Sequence, residues 1–151
     1  METRASSLVQ QAKKWATHYG AFANGPEGAV LTAPLRVRGA WENNDPDTLA
    51  DAFTENGSML LGDEQLTSRA AIRSYMAEAL SGKYRGSQIE DDPVDIFFLT
   101  DDFALVVCVG GVRTAGEASL PPERLSRTTW AVARQQGEWK VFSYQSSPLK
   151  G

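Results

Sequence analysis

Four long runs of strand-forming residues in the second half of the chain constrain its fold most. They are rich in β-branched and aromatic residues and read, in order, SQIEDDPVDIFFL, FALVVCVGGVRTAGE, RLSRTTWAVARQ and WKVFSYQSS. TDD and QQGE are typical of hairpin turns, and SLPPE is a longer connection. The pattern predicts an antiparallel meander, in which Gly110 and Gly111 mark a bulge or a sharp bend.

The first half of the chain has the periodicity of helices instead. Apolar residues recur at three- and four-residue steps, which predicts helices over residues 5–19, 27–43, 46–54 and 67–82. Helices followed by a long antiparallel sheet indicate an α+β fold. The break GAFANGPEG divides the chain into a helical arm, residues 1–25, and a main domain, residues 26–151.

Local breakers and capping residues set the expected helix ends. Pro34 either kinks its helix or marks the true start, because proline lacks an amide hydrogen and crowds the preceding turn. Gly57 is expected to end the short third helix in a left-handed conformation. Thr67 or Ser68 is expected to cap the fourth helix.

The stretch AWENNDPDTLADAFTENG, residues 40–57, concentrates acidic side chains. A calcium loop requires glycine at its sixth position, and a loop that starts at Asn43 has Thr48 there. Helix capping fits better, because Asp45 is a good N-cap and Pro46 suits the first helical position. The spacing therefore predicts the start of a helix and no metal site.

Charge and composition exclude several classes of function. The net charge is −4 without a run of basic residues, which disfavours nucleic-acid binding. One histidine, His18, and one cysteine, Cys108, are too few for a zinc site and favour a buried, unreactive thiol. No phosphate loop or dinucleotide fingerprint is visible, so we expect no cofactor. Without a signal sequence or a membrane span, the chain is expected to be soluble and cytoplasmic.

Pairing the last two strands through QQGE predicts which residues share a face of the sheet. The first face is predicted to carry Thr128, Trp130, Val132, Val141, Ser143 and Gln145. The second is predicted to carry Thr129, Ala131, Ala133, Phe142 and Tyr144. Because both faces are largely apolar, both need cover, and we expect helices on one face and a second subunit on the other. The first face, with its few polar groups, either lines a small-molecule pocket or is an ordinary core.

Three charged residues are candidates for work on a ligand. Asp95 is the acid inside the apolar run VDIFF. If buried, it could act as a general base, and otherwise it is a solvated carboxylate near a strand end. Arg113 and Arg127 either orient a ligand or are surface charges.

The order of several short words resembles the nuclear transport factor two-like superfamily, which includes ketosteroid isomerase and the SnoaL-type polyketide cyclases. The words are the AW…D and F…NG segments, the AAIRSY helix, FFLTDDFALVV and ARQQGEWKVFSYQ, and they extend over about residues 27–148. Within the superfamily the chain is most similar to the SgcJ/EcaC subgroup, whose SgcJ-type members belong to enediyne antibiotic pathways. The resemblance implies a cone-shaped barrel of a curved antiparallel sheet packed on about three helices, with an extra N-terminal helix, and usually a homodimer.

The resemblance also implies work on a polyene or polyketide intermediate, without settling the chemistry. One hypothesis is a pocket protein that guides folding of the ligand or performs cofactor-free cyclisation or isomerisation. Asp95 would then be the base, and Gln145 or Tyr75 would donate hydrogen bonds to a carbonyl or enolate oxygen. The pocket would be lined by Trp41, Phe53, Met76, Thr128, Trp130 and Ser143. The alternatives are a non-catalytic accessory of a polyketide synthase and a scaffold without ligand.

Overall fold

The computed structural model describes residues 25–149. Its helices are α1 (Gly25–Glu42), α2 (Pro46–Asp51) and α3 (Arg69–Ser81), with a turn of 3-10 helix over Pro122–Arg124. Its strands are β1 (Phe53–Leu61), β2 (Glu64–Leu66), β3 (Gln88–Thr100), β4 (Phe103–Arg113), β5 (Ser126–Gln135) and β6 (Glu138–Pro148). The predicted α+β class is confirmed. The helix predicted over residues 5–19, and the predicted arm up to residue 24, lie outside the described residues.

All six strands form one sheet in the order β2-β1-β6-β5-β4-β3. Strands β3 to β6 form the predicted antiparallel meander. Strand β1, however, runs parallel to β6, so the sheet is mixed and not wholly antiparallel. The sheet is curved, but β2 and β3 remain its edges, and it does not close into the barrel that the resemblance implied.

The three helices cover one face of the sheet, which is its inner face. Helix α1 contacts β3, β5 and β6, and α2 packs between α1 and α3. The largest fully buried side chains of this layer are Trp41, Trp130, Phe53, Leu49, Met59, Ile72 and Met76. No helix within residues 25–149 combines the length and apolar character needed to cross a membrane.

The capping residues act largely as the sequence predicts. Asp45 caps α2, since its carboxylate accepts hydrogen bonds from the Thr48 amide at 3.1 Å and the Thr48 hydroxyl at 2.7 Å. Ser68 caps α3 by accepting from the Ala71 amide at 3.0 Å. Pro34 lies inside α1 and does not mark its start.

The prediction for the end of the short helix is wrong. Helix α2 stops at Asp51, and β1 begins at Phe53 and continues through Gly57. The pairing of β1 with β6 is interrupted between Phe53 and Ser58. A Cβ on Gly57 would lie 3.0 Å from the Thr54 carbonyl oxygen. Gly57 thus permits a tight irregularity within a strand. In the sequence, a glycine with this role cannot be distinguished from one that ends a helix.

The two glycines of β4 do not form the predicted bulge. Pairing of β3 with β4 is regular through Gly110 and Gly111, and its irregularities fall between Pro93 and Asp95 and near Phe98. A Cβ on Gly110 would lie 1.6 Å from the Glu90 carbonyl oxygen, closer than any real contact. Glycine is required there because the neighbouring backbone occupies the space of a side chain.

We therefore predict that Gly110→Ala destabilises the protein by about 3 kcal/mol or more, because the backbone of β3 must move. Gly111→Ala is the matched control, since its Cβ would lie 3.1 Å from both the Arg124 carbonyl oxygen and a Leu120 methyl. Its cost should be clearly smaller, about 1 kcal/mol. Urea unfolding of both variants measures the two costs. Equal costs would contradict the assignment of the close contact to Gly110.

Candidate functional site

A bulge in the last hairpin decides which side chains share the inner face. Trp130 pairs with Tyr144 and Ala131 with Ser143, but Val132 pairs with Val141, which leaves Phe142 as the extra residue. An extra residue reverses the alternation beyond it. Tyr144 therefore joins Trp130 on the inner face, and Ser143 and Gln145 lie on the outer face. The predicted face assignment of these three residues is wrong for this reason.

The inner face carries a buried carboxyl group. It belongs to Asp91 on β3, a residue that is only 1% exposed. The indole Nε1–H of Trp130 donates to Asp91 Oδ2 at 3.0 Å. Asp91 Oδ1 is enclosed and has no hydrogen-bond partner among the described residues. A buried carboxylate oxygen without a donor is costly, and such exceptions are found where structures store strain or bind ligands and water.

The environment of Asp91 alters its acidity. Burial raises the pKa of Asp91 from 3.8 to about 6, against the opposing effects of the Arg38 guanidinium and the Trp130 hydrogen bond. Burial also raises the pKa of the Tyr144 phenol, and the nearby Asp91 charge raises it further. The Cys108 thiol is buried beside them, and its pKa is raised for the same two reasons. Asp91 is thus able to exchange a proton near neutral pH, whereas Cys108 stays a thiol.

Other polar side chains continue from Asp91 along the inner face towards one end of the sheet. The ring of Tyr144 packs edge-on against Trp130, with centroids 4.6 Å apart. Thr128 is fully buried, and its hydroxyl lacks a hydrogen-bond partner within residues 25–149. The pairing of Thr128 with Ser146 places that serine beside it. The opposite end of the inner face is apolar, with Ala104, Val106, Val132 and Val141 all buried.

A cleft of about 550 Å³ opens at the polar end of the sheet, and Tyr144 is among its lining residues. This volume is within the usual range for small-molecule sites. Its lining combines apolar and aromatic residues with hydroxyl groups and a few charges, and includes Leu60, Leu61, Tyr84, Val112, Arg124, Leu125, Ser126, Tyr144, Ser146 and Pro148. Tyr144 therefore connects the cleft to the buried Asp91.

One wall of the cleft is the connection between β4 and β5, which ion pairs hold in place. Arg113 Nε donates to Glu90 at 2.6 Å, and its Nη1 donates to the Glu117 carbonyl oxygen at 2.7 Å. The side chain of Glu117 accepts hydrogen bonds from Thr114 and pairs with Arg124, which together hold its pKa at about 2. Arg113 thus braces the wall, while Arg127, the other predicted ligand-orienting arginine, is exposed.

The residues predicted as catalytic do not meet in this cleft. Asp95 is exposed, and its carboxylate accepts from the adjacent Ile96 amide at 2.9 Å. The bulge after Pro93 turns Asp95 to the outer face, where it pairs opposite Val107. Gln145 lies on the same outer face and donates to the Ser143 hydroxyl at 3.2 Å. Tyr75 is half-buried on α3, with the Lys83 ammonium 5.2 Å from its ring centroid.

The residues predicted to line a pocket divide into two groups. Thr128 and Trp130 adjoin Asp91 and Tyr144, as described above. Phe53 and Met76 are fully buried in the core. Trp41 is also buried, and its Nε1–H donates to the Ser87 hydroxyl at 2.8 Å. Its ring lies 5.1 Å from that of Tyr84, a cleft residue, so Trp41 supports the cleft without lining it. Ser143 lies on the outer face with Gln145.

The sequence does not single out Asp91, because the segment EDDPV contains two adjacent aspartates before a proline. A usable signal was present, since period-two alternation from the buried Ile89 places Asp91 on the same face. Within residues 25–149 no group of three histidine, cysteine, aspartate or glutamate side chains is arranged to hold a metal ion.

A family model described as a SnoaL-like domain matches residues 30–150. This chain belongs to the SnoaL-like domain family. The match covers the whole sheet and all of the helices except the first five residues of α1, and a SnoaL-like domain indicates a small-molecule pocket protein. No curated protein sequence matches the chain.

Solved structures support the same fold at low sequence identity. A domain of unknown function with a cystatin-like fold from Nostoc punctiforme aligns with a TM-score of 0.73 and 18% identity, covering 83% of this chain and 78% of that one. An NTF2-like protein from Novosphingobium aromaticivorans aligns with a TM-score of 0.68 and 17% identity, covering 100% and 93%. An NTF2-like protein of unknown function from Shewanella oneidensis has a TM-score of 0.67 and 14% identity, covering 82% and 99%. These similarities show the fold alone.

The raised pKa of Asp91 has a consequence for stability. Between about pH 4 and about pH 6 the folded protein retains a proton on Asp91 that the unfolded chain has lost. Stability is therefore present below this range and falls as the pH rises through it. The two-unit difference corresponds to a loss on the order of 3 kcal/mol.

We predict that the free energy of unfolding of the wild type, minus that of Asp91→Asn, falls by this amount from about pH 4 to about pH 6. Taking the difference removes the contribution of titrating groups that do not interact with Asp91, and denaturant unfolding across the range measures it. Asp95→Asn, which removes an exposed carboxyl group from the same strand, is the matched control, and because it retains Asp91 its stability minus that of Asp91→Asn should show the same fall. A flat difference for Asp91→Asn would contradict the buried carboxyl.

Proposed function

We propose that the cleft binds a largely apolar small molecule that carries a carbonyl group. The lining supports this proposal, because leucine, valine and aromatic side chains suit a hydrocarbon skeleton and the serine hydroxyls suit its oxygens. The acidic residues Asp63 and Glu123 accompany Arg124 at the cleft, which favours a neutral ligand over an anion.

We propose further that Asp91 performs cofactor-free acid–base chemistry on this ligand. The single observation that carries the proposal is the Asp91 carboxyl itself, buried next to the cleft-lining Tyr144, with one oxygen unpartnered and a pKa of about 6. The carboxylate would remove a proton from the carbon next to the carbonyl group and return it elsewhere. The Tyr144 hydroxyl would donate a hydrogen bond to the oxygen on which charge develops.

Enolisation of this kind is the common step of cyclisation and isomerisation of oxygenated carbon chains. We therefore propose a polyketide or polyene intermediate as the ligand, and an enediyne or related antibiotic pathway as its source. The sequence resemblance to the SgcJ/EcaC subgroup and membership of the SnoaL-like family support this proposal. The roles that the sequence suggested for Asp95 and Gln145 pass to Asp91 and Tyr144.

Proton exchange on a simple ketone tests the acid–base role. β-Tetralone in D₂O should exchange its α-hydrogens faster with the wild-type protein than with buffer, as followed by proton NMR. Asp91→Asn should lower the protein-dependent rate at least about 100-fold, the usual contribution of a positioned acid–base group. Asp95→Asn should retain the wild-type rate, because Asp95 is exposed on the outer face.

Binding is measured separately, by the shift of the Trp130 indole N–H signal on titration with β-ionone, a conjugated apolar ketone. Wild type and Asp91→Asn should both show a saturable shift. Binding without any protein-dependent exchange would overturn the catalytic role and leave the non-catalytic accessory as the function. Absence of both would overturn the ligand site itself.

We propose that the partner on the outer face is a second copy of the chain. Large apolar side chains remain exposed there, with Phe97 50% exposed on β3 and Phe142 39% exposed on β6. The rings of Phe142 and Phe103 pack edge-on at 6.1 Å, which extends the apolar surface across the sheet. An exposed apolar surface of this kind marks an interaction site.

Sedimentation analysis tests the homodimer. The wild type should sediment as a dimer at micromolar concentration, and Phe97→Asp should sediment as a monomer, because burying the new charge opposes association. Leu149→Asp is the control, since Leu149 is also exposed but lies beyond β6. A monomeric wild type at that concentration would exclude the homodimer and leave a polyketide synthase as the candidate partner.

A further inference from the structure

Arg38 joins helix α1 to the backbone on either side of the buried carboxyl group. Its Nε donates to the Ile89 carbonyl oxygen at 3.1 Å, and its Nη1 approaches the Asp91 carbonyl oxygen at 3.4 Å. Both acceptors belong to β3, one of the two edge strands of the sheet. The guanidinium therefore fixes the part of the edge strand that presents Asp91 to the inner face.

Groups from three elements act on the charge of Asp91. Trp130 on β5 donates a hydrogen bond, Asp92 on β3 adds a like charge, and Arg38 on α1 supplies the opposing positive charge. Cys108 on β4 and Tyr144 on β6 complete the surroundings and are held neutral by burial. Among the described residues that shift the ionisation of Asp91, Arg38 is the cation.

We propose that Arg38 is a positioning residue for the acid–base reaction, which holds a positive charge beside Asp91 and so keeps its carboxylate ionised at neutral pH. This inference rests on the proposed function of Asp91. Both of these contacts of Arg38 are to the β3 backbone, at Ile89 and Asp91, so Arg38 acts through Asp91 and not on the ligand. A nearby positive charge favours the ionised form of a carboxylate. This effect matters more for a buried carboxylate, because little water is present to stabilise the negative charge.

The consequence is that the effect of replacing Arg38 on the exchange rate depends on pH. If Arg38 is replaced by methionine, the pKa of Asp91 should rise above its value of about 6, by about one pH unit. At pH 6 the ionised fraction would then fall from about one half to about one tenth, which slows β-tetralone exchange about fivefold. Well above both pKa values the carboxylate is fully ionised in either protein, and the rates should be equal. Simple loss of structure would instead slow the reaction at every pH.

The experiment follows the Asp91 carboxyl carbon by ¹³C NMR and the exchange rate on β-tetralone, each across the pH range, in three variants. Arg38→Met should raise the pKa of the Asp91 carboxyl group. It should also shift the acid limb of the rate profile to higher pH by the same amount. Arg38→Lys should restore most of the wild-type profile, because it keeps the charge. Arg36→Met is the matched control on α1, since Arg36 pairs with Glu138 and the Trp139 carbonyl oxygen. It should leave the Asp91 titration unchanged.

The outcomes separate this inference from the proposed function. An unchanged Asp91 titration in Arg38→Met would overturn the role of Arg38, whether or not Asp91 is catalytic. A rate that falls equally at all pH values, with the carboxyl pKa unmoved, would likewise assign Arg38 a structural role only. A shifted titration combined with full exchange activity in Asp91→Asn would instead overturn the acid–base role of Asp91 while the electrostatic link from Arg38 stands.

Discussion

The hydrogen bond from the Trp130 indole to the Asp91 carboxylate links the parts of this molecule that matter for function. It joins β5 to β3 across the inner face, over the intervening strand β4. Trp130 is fully buried and packs against Tyr144, so the bond also ties the carboxyl group to the cleft. A buried carboxylate is tolerated only with compensating donors and charge. The indole and the Arg38 guanidinium supply that compensation from β5 and α1, which fixes both elements relative to the edge strand.

This arrangement leaves the compensation incomplete. Asp91 Oδ1 and the Thr128 hydroxyl have no hydrogen-bond partners in the described part of the chain, although both are enclosed. An apolar residue at either position would remove an unsatisfied group from the core. The rest of the inner face shows that the sheet readily accommodates apolar residues, since Val106, Val132 and Val141 are all fully buried. The polar groups therefore cost stability at the end of the sheet that opens into the cleft, which is where a binding function would retain them.

The sequence predicts the order of the elements well because each long strand and helix carries its own periodicity. It predicts the faces poorly, and the reason is the same in two places. The extra residue Phe142 reverses the alternation of β6, and the irregularity after Pro93 reverses that of β3. A single bulge turns every later side chain to the opposite face, yet it leaves no local signature comparable to a cap or a turn. Uninterrupted alternation assigns Ser143 and Gln145 to the site, whereas Asp95 is a candidate because it is the acid inside the apolar run VDIFF.

The same two bulges account for the position of the site. Without the bulge at Phe142, Tyr144 would face outward and the cleft would have no hydroxyl beside Asp91. Without the bulge after Pro93, Asp95 would follow Asp91 onto the inner face and place a second acid in an apolar layer. A second buried carboxyl group would raise the pKa of Asp91 further, because like charges oppose ionisation, and the carboxyl would be protonated at neutral pH. The irregular pairing thus leaves one ionisable acid and one phenol together on the inner face, a combination suited to proton transfer.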